Sequence, residues 1–439
     1  MVTMAANSKP ETAVAPTRFR WVVITLIFFI TMVNYVDRSA LAYAVHGIAD
    51  EFHFDAAVAG HILGSFGLGY IVTTFFGGIW ADHYGARKTL FFASLLWSLS
   101  IGMSGLAGNV AMLMSARVLL GLAEGPNFPA LNRTVADWLS SRERAVALSN
   151  ALVAVPLALA VGAPVVTQLI LHLGWRGMFL VLMLIGTLWL PLWWNLFRDL
   201  PEDSRHVNKT ELAHIREGGA PPSTVQRRQH GWALWNFLFF NPTLLANDWA
   251  FFVFGYYLFF FMTWLPSYFQ QIYHLNLKQV GLFNVLPWLL AAVLLWSFGY
   301  LSDWLLKRAG RLRVARSHPI WISQLLAALC ILPVIYTHRF SVALTFITLA
   351  VALSMSTNSA YYAINVDVAR ERSGTALGVM DALFALAGYM APTITGWLVA
   401  GSGSFETPFW LLFGLAISSV LVVLVFHHPD ETTKLEHHA

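Results

Sequence analysis

Long apolar runs separated by short polar ones recur from residue 21 almost to the C-terminus. Each holds about 20 residues, the length an α-helix needs to cross a hydrocarbon layer roughly 30 Å thick. Twelve such runs are read, at 21–45, 57–79, 89–108, 110–136, 145–170, 174–197, 242–271, 278–302, 316–337, 340–364, 373–399 and 406–427. A backbone surrounded by lipid has no water to bond, so each segment must satisfy its own N–H and C=O groups. Strand readings of the Val- and Phe-rich runs are thereby excluded. The predicted class is an all-α membrane protein with 12 transmembrane helices.

The longest polar segment, 198–241, carries Arg198, Asp199, Glu202, Arg205, Lys209, Glu211 and Arg216 and a Gly-Gly-Ala-Pro-Pro stretch. It reads as a linker between two six-helix bundles, 18–197 and 242–428, with a disordered N-terminal tail at 1–17 and a C-terminal tail at 429–439. Internal duplication supports the division. Gly78-Ile-Trp-Ala-Asp82 recurs 221 positions later as Gly299-Tyr-Leu-Ser-Asp303, and Arg142-Glu143-Arg144 with Ala147-Leu148 recurs 228 and 229 positions later as Arg370-Glu371-Arg372 with Ala376-Leu377. Two matches at nearly one offset indicate parallel repeats of six helices, the architecture of major facilitator transporters.

Composition agrees, since 57% hydrophobic and 11% charged residues exceed what a soluble core of this size would bury. Charge supplies the orientation. Of 27 Lys and Arg, 22 fall in the tails, loops and adjoining run ends on the side of the N-terminus, among them Arg18, Arg20, Arg144, Lys307, Arg308, Arg311 and Arg313. Only Arg176, Lys278 and Arg339 lie opposite, so both termini are expected in the cytoplasm of a bacterial inner (plasma) membrane. The net charge of +4 is then the positive-inside rule in bulk and no sign of nucleic acid. Cys330 has no disulfide partner, and the first run is too long and too charged for a cleavable signal.

The two remaining basic residues, Arg38 and Arg117, are embedded in apolar runs together with Asp37 and Glu124. A charge near a bilayer centre costs about 2.5–3.5 kcal/mol on insertion scales, which marks these four as the leading site. Arg117 and Glu124 are seven apart and share a helix face. Arginine stays charged and suits a carboxylate, whereas a carboxyl removed from water can take up a proton. Arg38 and Arg117 are therefore read as an anion site and Asp37 and Glu124 as proton carriers. The alternative is internal pairing, Asp37 with Arg117 and Glu124 with Arg38, as structure alone.

Further candidates are weaker one by one. Asp381 lies inside the eleventh run, where it could bind substrate hydroxyls or an ammonium group, take a second proton, or pair with a polar group of the seventh or eighth. Asn358, Ser359, Gln168 and Asn284 are uncharged candidates, although interhelical amides often only join helices. The seventh run is crowded with Phe251, Tyr256, Tyr257, Phe261, Trp264 and Tyr268, for which lipid-facing and interfacial positions account in the main. Asp248 and His61 are placed near membrane boundaries without a role. Pro126, Pro129, Pro156 and Pro164 mark expected distortions.

The loop Gly78-Ile-Trp-Ala-Asp82-His83-Tyr84-Gly85-Ala86-Arg87-Lys88 resembles the signature loop of the major facilitator superfamily, with His83 in place of the usual basic residue. By that resemblance Gly78, Asp82, Gly85, Arg87, Lys88 and, in the repeat, Asp303 form a conformational latch between the halves. Within the superfamily, Asn34-Tyr35-Val36-Asp37-Arg38-Ser39, Tyr70, Arg117-Val-Leu-Leu-Gly121-Leu-Ala-Glu124-Gly125, Trp138 and Trp264-Leu265-Pro266 resemble the anion:cation symporter family. The resemblance implies proton coupling at Asp37 and Glu124, substrate contacts from Arg38 and Tyr70, and an Arg117 that tunes the acid of the first helix. Asp381 departs from it, since many sugar-acid carriers have an amide at that position.

These readings converge on a monomeric, proton-coupled symporter in the lipid bilayer that imports a small organic anion, a sugar acid or an aromatic carboxylate, by alternating access. Protons are the coupling ion and no cofactor is expected. No His-Glu-x-x-His, ligand cluster or phosphate loop points to an enzyme. A drug or metabolite:proton antiporter and a nutrient sensor on the same fold are the alternatives.

Overall fold

The computed structural model describes residues 15–217, 237–369 and 372–430, and among these every regular element is helical. Helix one is Phe19–Phe52. The helical stretch Ala56–Gly105 is two passes, 56–84 and 86–105, because Gly85 turns the chain at φ 81° and ψ 156°. That left-handed region admits glycine without a Cβ clash. Helix four comes in two segments, Val110–Glu124 and Asn127–Trp138, since Pro126 has no N–H to continue the ladder. Ser141–Leu196 likewise divides at Gly174 into helices five and six, 141–173 and 175–196.

The second half repeats the plan. Helix seven is Pro242–Tyr273, helix eight Leu277–Phe283 and Val285–Ala309, helix nine His318–Tyr336, helix ten Phe340–Ser356 and Asn358–Ala369, helix eleven Ser373–Ser402 and helix twelve Glu406–Phe426. All twelve expected runs are present. Helices one and eight run on past their predicted ends to Phe52 and Ala309. Helix five stays helical through Pro156 and Pro164, so the expected distortions fall on helix four alone.

Helices one, two, four and five of one half and seven, eight, ten and eleven of the other supply the contacts between halves and around the centre. The ends bearing Arg20, Arg87, Arg144 and Lys307 define a basic face. Near the opposite face the halves touch closely. A Cβ at Gly60 would stand 2.7 Å from the Pro392 carbonyl oxygen, one at Gly64 2.7 Å from that of Tyr389, and one at Gly67 2.8 Å from the Tyr389 Cα. The hydrogen bonds that cross between the halves among the described residues lie there too. Asn284 Nδ2 donates to the Tyr43 hydroxyl at 2.5 Å, Thr393 Oγ1 to the Gly60 carbonyl at 3.5 Å, and Trp397 Nε1 to His61 Nε2 at 3.0 Å.

Two sequence expectations are corrected. Helix seven does not face lipid over most of its length: it is buried without a break from Ala250 to Phe269, enclosed by helices one, ten, eleven and twelve. Nor is all of 1–17 disordered. Thr17 Oγ1 donates to Glu211 of the short helix Lys209–Arg216 at 2.5 Å, and Asn208 Nδ2 donates to the Ala15 carbonyl at 2.7 Å. Arg20 bridges Glu211 at 3.0 Å and Glu143 at 3.1 Å, so the start of the linker is folded onto the first half. Burial opposes ionisation of Glu211, yet the Thr17 hydroxyl, the Arg20 and Phe19 amides and the Arg20 guanidinium together hold its carboxyl below the usual range. The rest of the N-tail, most of the C-tail, the Gly-Gly-Ala-Pro-Pro stretch and Arg370-Glu371 lie outside the described residues.

Candidate functional site

Glycines bring helices two and four together and so fix the walls of the first half. A Cβ at Gly69 would meet the Leu122 amide at 2.7 Å, one at Gly121 the Tyr70 amide at 2.7 Å, and one at Gly125 the Thr74 amide at 2.6 Å. That closeness carries Phe66 and Tyr70 of helix two over Arg38 of helix one. The guanidinium carbon of Arg38 lies 4.8 Å from the Phe66 ring centre, 4.5 Å from Tyr70 and 4.6 Å from Tyr35. Its Nε donates to Glu124 Oε2 at 2.5 Å, and both side chains are shut off from solvent. Arg38 Nη1 and Nη2 and Glu124 Oε1 are buried and make no well-aligned hydrogen bond among the described residues, although the Tyr70 hydroxyl stands near the guanidinium and Asn34 near Glu124.

Half of the internal pairing weighed from the sequence is thus present. The other half is not made as a hydrogen bond: both Asp37 oxygens are buried without a partner, and Arg117 reaches the Arg38 carbonyl at 3.4 Å rather than Asp37. Asp37, Arg117 and Glu124 remain within electrostatic reach of one another.

Between the halves lies a cavity lined by Tyr35, Tyr70, Phe128, Phe251, Phe254, Asn358, Tyr362, Asp381 and Phe384, with Thr74, Leu152, Val155, Leu258 and Met355. The breaks in helices four and ten put Phe128 and Asn358 on this wall. Tyr70, Asn358 and Asp381 line it as expected from the sequence, whereas Ser359 and Gln168 do not, and Gln168 is exposed. Arg38 is not on the wall either, because the rings of Tyr35 and Tyr70 stand in front of it. The one charged lining side chain is Asp381. It accepts from the Tyr362 hydroxyl of helix ten at 3.3 Å, so its partner is not in helix seven or eight.

Sequence reasoning passed over two residues here. Tyr362 had no signal of its own. Asp248, assigned to a boundary, is 5% exposed within helix seven and lies within electrostatic reach of Asp381. His61 sits where the halves meet, accepting from Trp397, and Asn284 joins the halves rather than lining the cavity. Among the described residues no group of three or more His, Cys, Asp or Glu is arranged to hold a metal ion.

The loop after helix two is built around Asp199. Its carboxylate accepts from the Arg87 amide at 2.9 Å, and a Cβ at Gly85 would stand 2.6 Å from it, so the turn has room for glycine only. Asp82 accepts from Arg133 Nη1 at 3.1 Å, while Arg133 Nε holds Asp137 at 2.6 Å. Arg87 stacks on Trp194 at 4.2 Å and donates to its carbonyl. These partners all belong to the first half or to the start of the linker in this conformation. Lys88 and Asp303 are exposed, and a Cβ at Gly78 would meet nothing within 4 Å.

Comparison with known proteins follows this geometry. The family description Major Facilitator Superfamily matches residues 27–317. The chain is 31% identical to a hexuronate transporter of Bacillus subtilis over 93% of its length and 94% of that protein. It is 30% identical to a probable sulfoacetate transporter of Cupriavidus necator, covering 95% and 96%. A D-galactonate transporter of Escherichia coli is 29% identical, covering 90% and 92%. Among solved structures, a bacterial homolog of the human lysosomal transporter Spinster superposes with a TM-score of 0.71 at 16% identity, covering 98% of this chain and 97% of that one.

Proposed function

We propose that this chain, which belongs to the Major Facilitator Superfamily, imports a small organic anion together with protons by alternating access. The observation that carries the reading is the Arg38–Glu124 pair, fully buried at 2.5 Å, with both terminal nitrogens of Arg38 unpartnered behind the cavity wall. A buried guanidinium with free N–H groups is matched by an incoming carboxylate, which it can hold by two parallel hydrogen bonds. The names of the relatives, transporters of hexuronate, galactonate and sulfoacetate, agree with an acid as cargo.

Coupling follows from charge balance. Arg38 cannot give up its proton, so Glu124 is the member of the pair that can be neutralised. A protonated Glu124 relinquishes Arg38, the Tyr35 and Tyr70 rings move aside, and the anion takes the place of the carboxylate. Asp37, unpartnered and near Arg117, stores a proton in the same site. Anion departure leaves Arg38 unpaired, which draws Glu124 back to its ionised form and expels the proton on the same side.

By the positive-inside rule the basic face is cytoplasmic, and the glycine contacts of helices two and eleven then seal the outer side. The conformation is the inward-facing one, and rocking of the halves would exchange that seal for one at the basic face. Arg38, Tyr70 and Asn358 are assigned to the substrate, Arg117 to tuning Asp37, and the loop of Gly85 and Asp82 to the second seal.

The test is uptake into proteoliposomes of labelled hexuronate, galactonate, sulfoacetate and benzoate under an imposed inward proton gradient. Accumulation of one of them is expected in the wild type, exchange without accumulation in Asp37→Asn and Glu124→Gln, and neither in Arg38→Ala. Accumulation that survives neutralising both acids would sink the proposal.

A further inference from the structure

The membrane helices of the second half bury acids without bases. From Pro242 to Tyr273, Phe340 to Ala369 and Ser373 to Ser402 there is no Lys, Arg or His. Asp248 and Asp381 nonetheless sit inside the protein, within electrostatic reach of each other. The ionisable groups that face Asp381 are Tyr362 of helix ten, Tyr35 of helix one, Tyr70 of helix two and Asp248 of helix seven, all acids or phenols. Among the described residues no cationic side chain is an electrostatic neighbour of either carboxyl. An isolated carboxylate out of water is so unfavourable that it is neutralised instead, and no described residue brings a positive charge here.

Two further observations point to a site rather than a buried accident. Asp381 opens onto the cavity, and Asn358, 6% exposed on the same wall, leaves its side-chain oxygen without a partner. Asp248 Oδ1 is buried and equally unpartnered. The two carboxyls are also graded in depth. Asp381 is eight residues into helix eleven and Asp248 six residues into helix seven. At about 1.5 Å per residue they lie roughly 12 and 9 Å from the basic face.

We infer that the second half holds a proton-binding site of its own, in which Asp381 takes a proton from the cavity, the Tyr362 hydroxyl orients its carboxyl, and Asp248 receives the proton on the way to the basic face. The inference deepens the proton-coupled reading above and adds to it a proton that Asp37 and Glu124 do not carry. The balance is simple: one O–H bond forms on Asp381 as a donor in the cavity releases its proton, and the same bond breaks when Asp248 accepts it. An ammonium group on the substrate is the other positive charge that this cage of rings and one carboxylate would hold. The unpaired Asp248, away from the cavity wall, favours the proton.

The test needs no substrate. Infrared difference spectra of the full-length protein between alkaline and acid pH report the carbonyl stretch of each carboxyl that gains a proton. The wild type is expected to show bands lost in Asp381→Asn and in Asp248→Asn, separate from those lost in Asp37→Asn and Glu124→Gln, and Asp381→Glu should return a shifted band. An acid-minus-alkaline spectrum unchanged by both second-half variants would overturn the site while leaving the first-half reading untouched. The converse, bands absent only in the second-half variants, would remove the first-half reading and keep this one. Loss of the Asp381 band on adding glycine betaine at fixed pH would reassign the carboxyl to a cationic headgroup and also overturn it.

Discussion

The two halves share a topology and differ in their electrostatics. In the first, two embedded acids meet two embedded arginines, and one pair is closed at 2.5 Å. In the second, Asp248 and Asp381 meet no base among the described residues. Where charge is matched inside the protein, a proton or an anion acts by redistributing an existing pair. Where it is unmatched, the positive charge must be delivered from outside. Duplication supplied the frame and the buried charges were then divided unequally across it.

Breaking the matched pair should have the largest effect on stability, and unequally. Glu124→Ala strands Arg38, which cannot discharge, and removal of one partner from a buried pair costs about 3–5 kcal/mol. Arg38→Ala strands an acid that can take up a proton, so its apparent thermal midpoint should fall less. Equal losses in the two variants, read by detergent-solubilised thermal unfolding, would contradict the asymmetry.

Next in size is the seal. Gly60→Ala and Gly64→Ala place a Cβ against backbone atoms that cannot yield. Both should shift the conformational balance toward an open face at Gly60, seen as faster thiol labelling of a cysteine placed at residue 57. Unaltered labelling would mean that the contact is slack.

In the second half the sign reverses. Asp248→Asn removes an acid that has no partner, so it should raise the thermal midpoint or leave it within about 2 °C. A clear drop would reveal a base that answers Asp248 in another conformation.

The smallest effects belong to the basic face. Asp82→Asn breaks a partly exposed pair with Arg133, worth about 0–1 kcal/mol. Glu211 and Glu143 are held below the usual carboxylate range, so the stability they lend is present above the unfolded-state value and lost as pH falls through the lowered one. Proteolysis between Ala15 and the linker should therefore quicken only in acid, and Glu211→Gln should reduce that pH dependence to the part that Glu143 supplies through Arg20.

Much of this was legible in the sequence for one physical reason: a charge inside an apolar run is conspicuous. Asp37, Arg38, Arg117 and Glu124 stand out that way, and the twelve helices follow from run length. Asp248 escaped because it lies six residues from a helix start whose position could not be fixed to better than several residues. The order of layers at the cavity was hidden as well, since whether Arg38 or Tyr35 faces inward depends on helix rotation, which the glycine contacts of helices two and four set. Helix seven was misjudged because lipid and protein interior are equally apolar, so its Phe and Trp content cannot tell one from the other.

The glycine face between helices two and eleven has one more consequence. Gly60, Gly64 and Gly67 meet Pro392, Tyr389 and Gly388 through backbone atoms, and the Gly60 carbonyl is taken by the Thr393 hydroxyl. His61 is the one ionisable side chain that the described cross-half hydrogen bonds place at this contact, and it is tied to Trp397, so the glycine face offers no chain of ionisable groups along which a proton could hop. The barrier is an insulator as well as a wall, and an insulated barrier is what keeps a gradient from being short-circuited through the carrier while it waits for cargo.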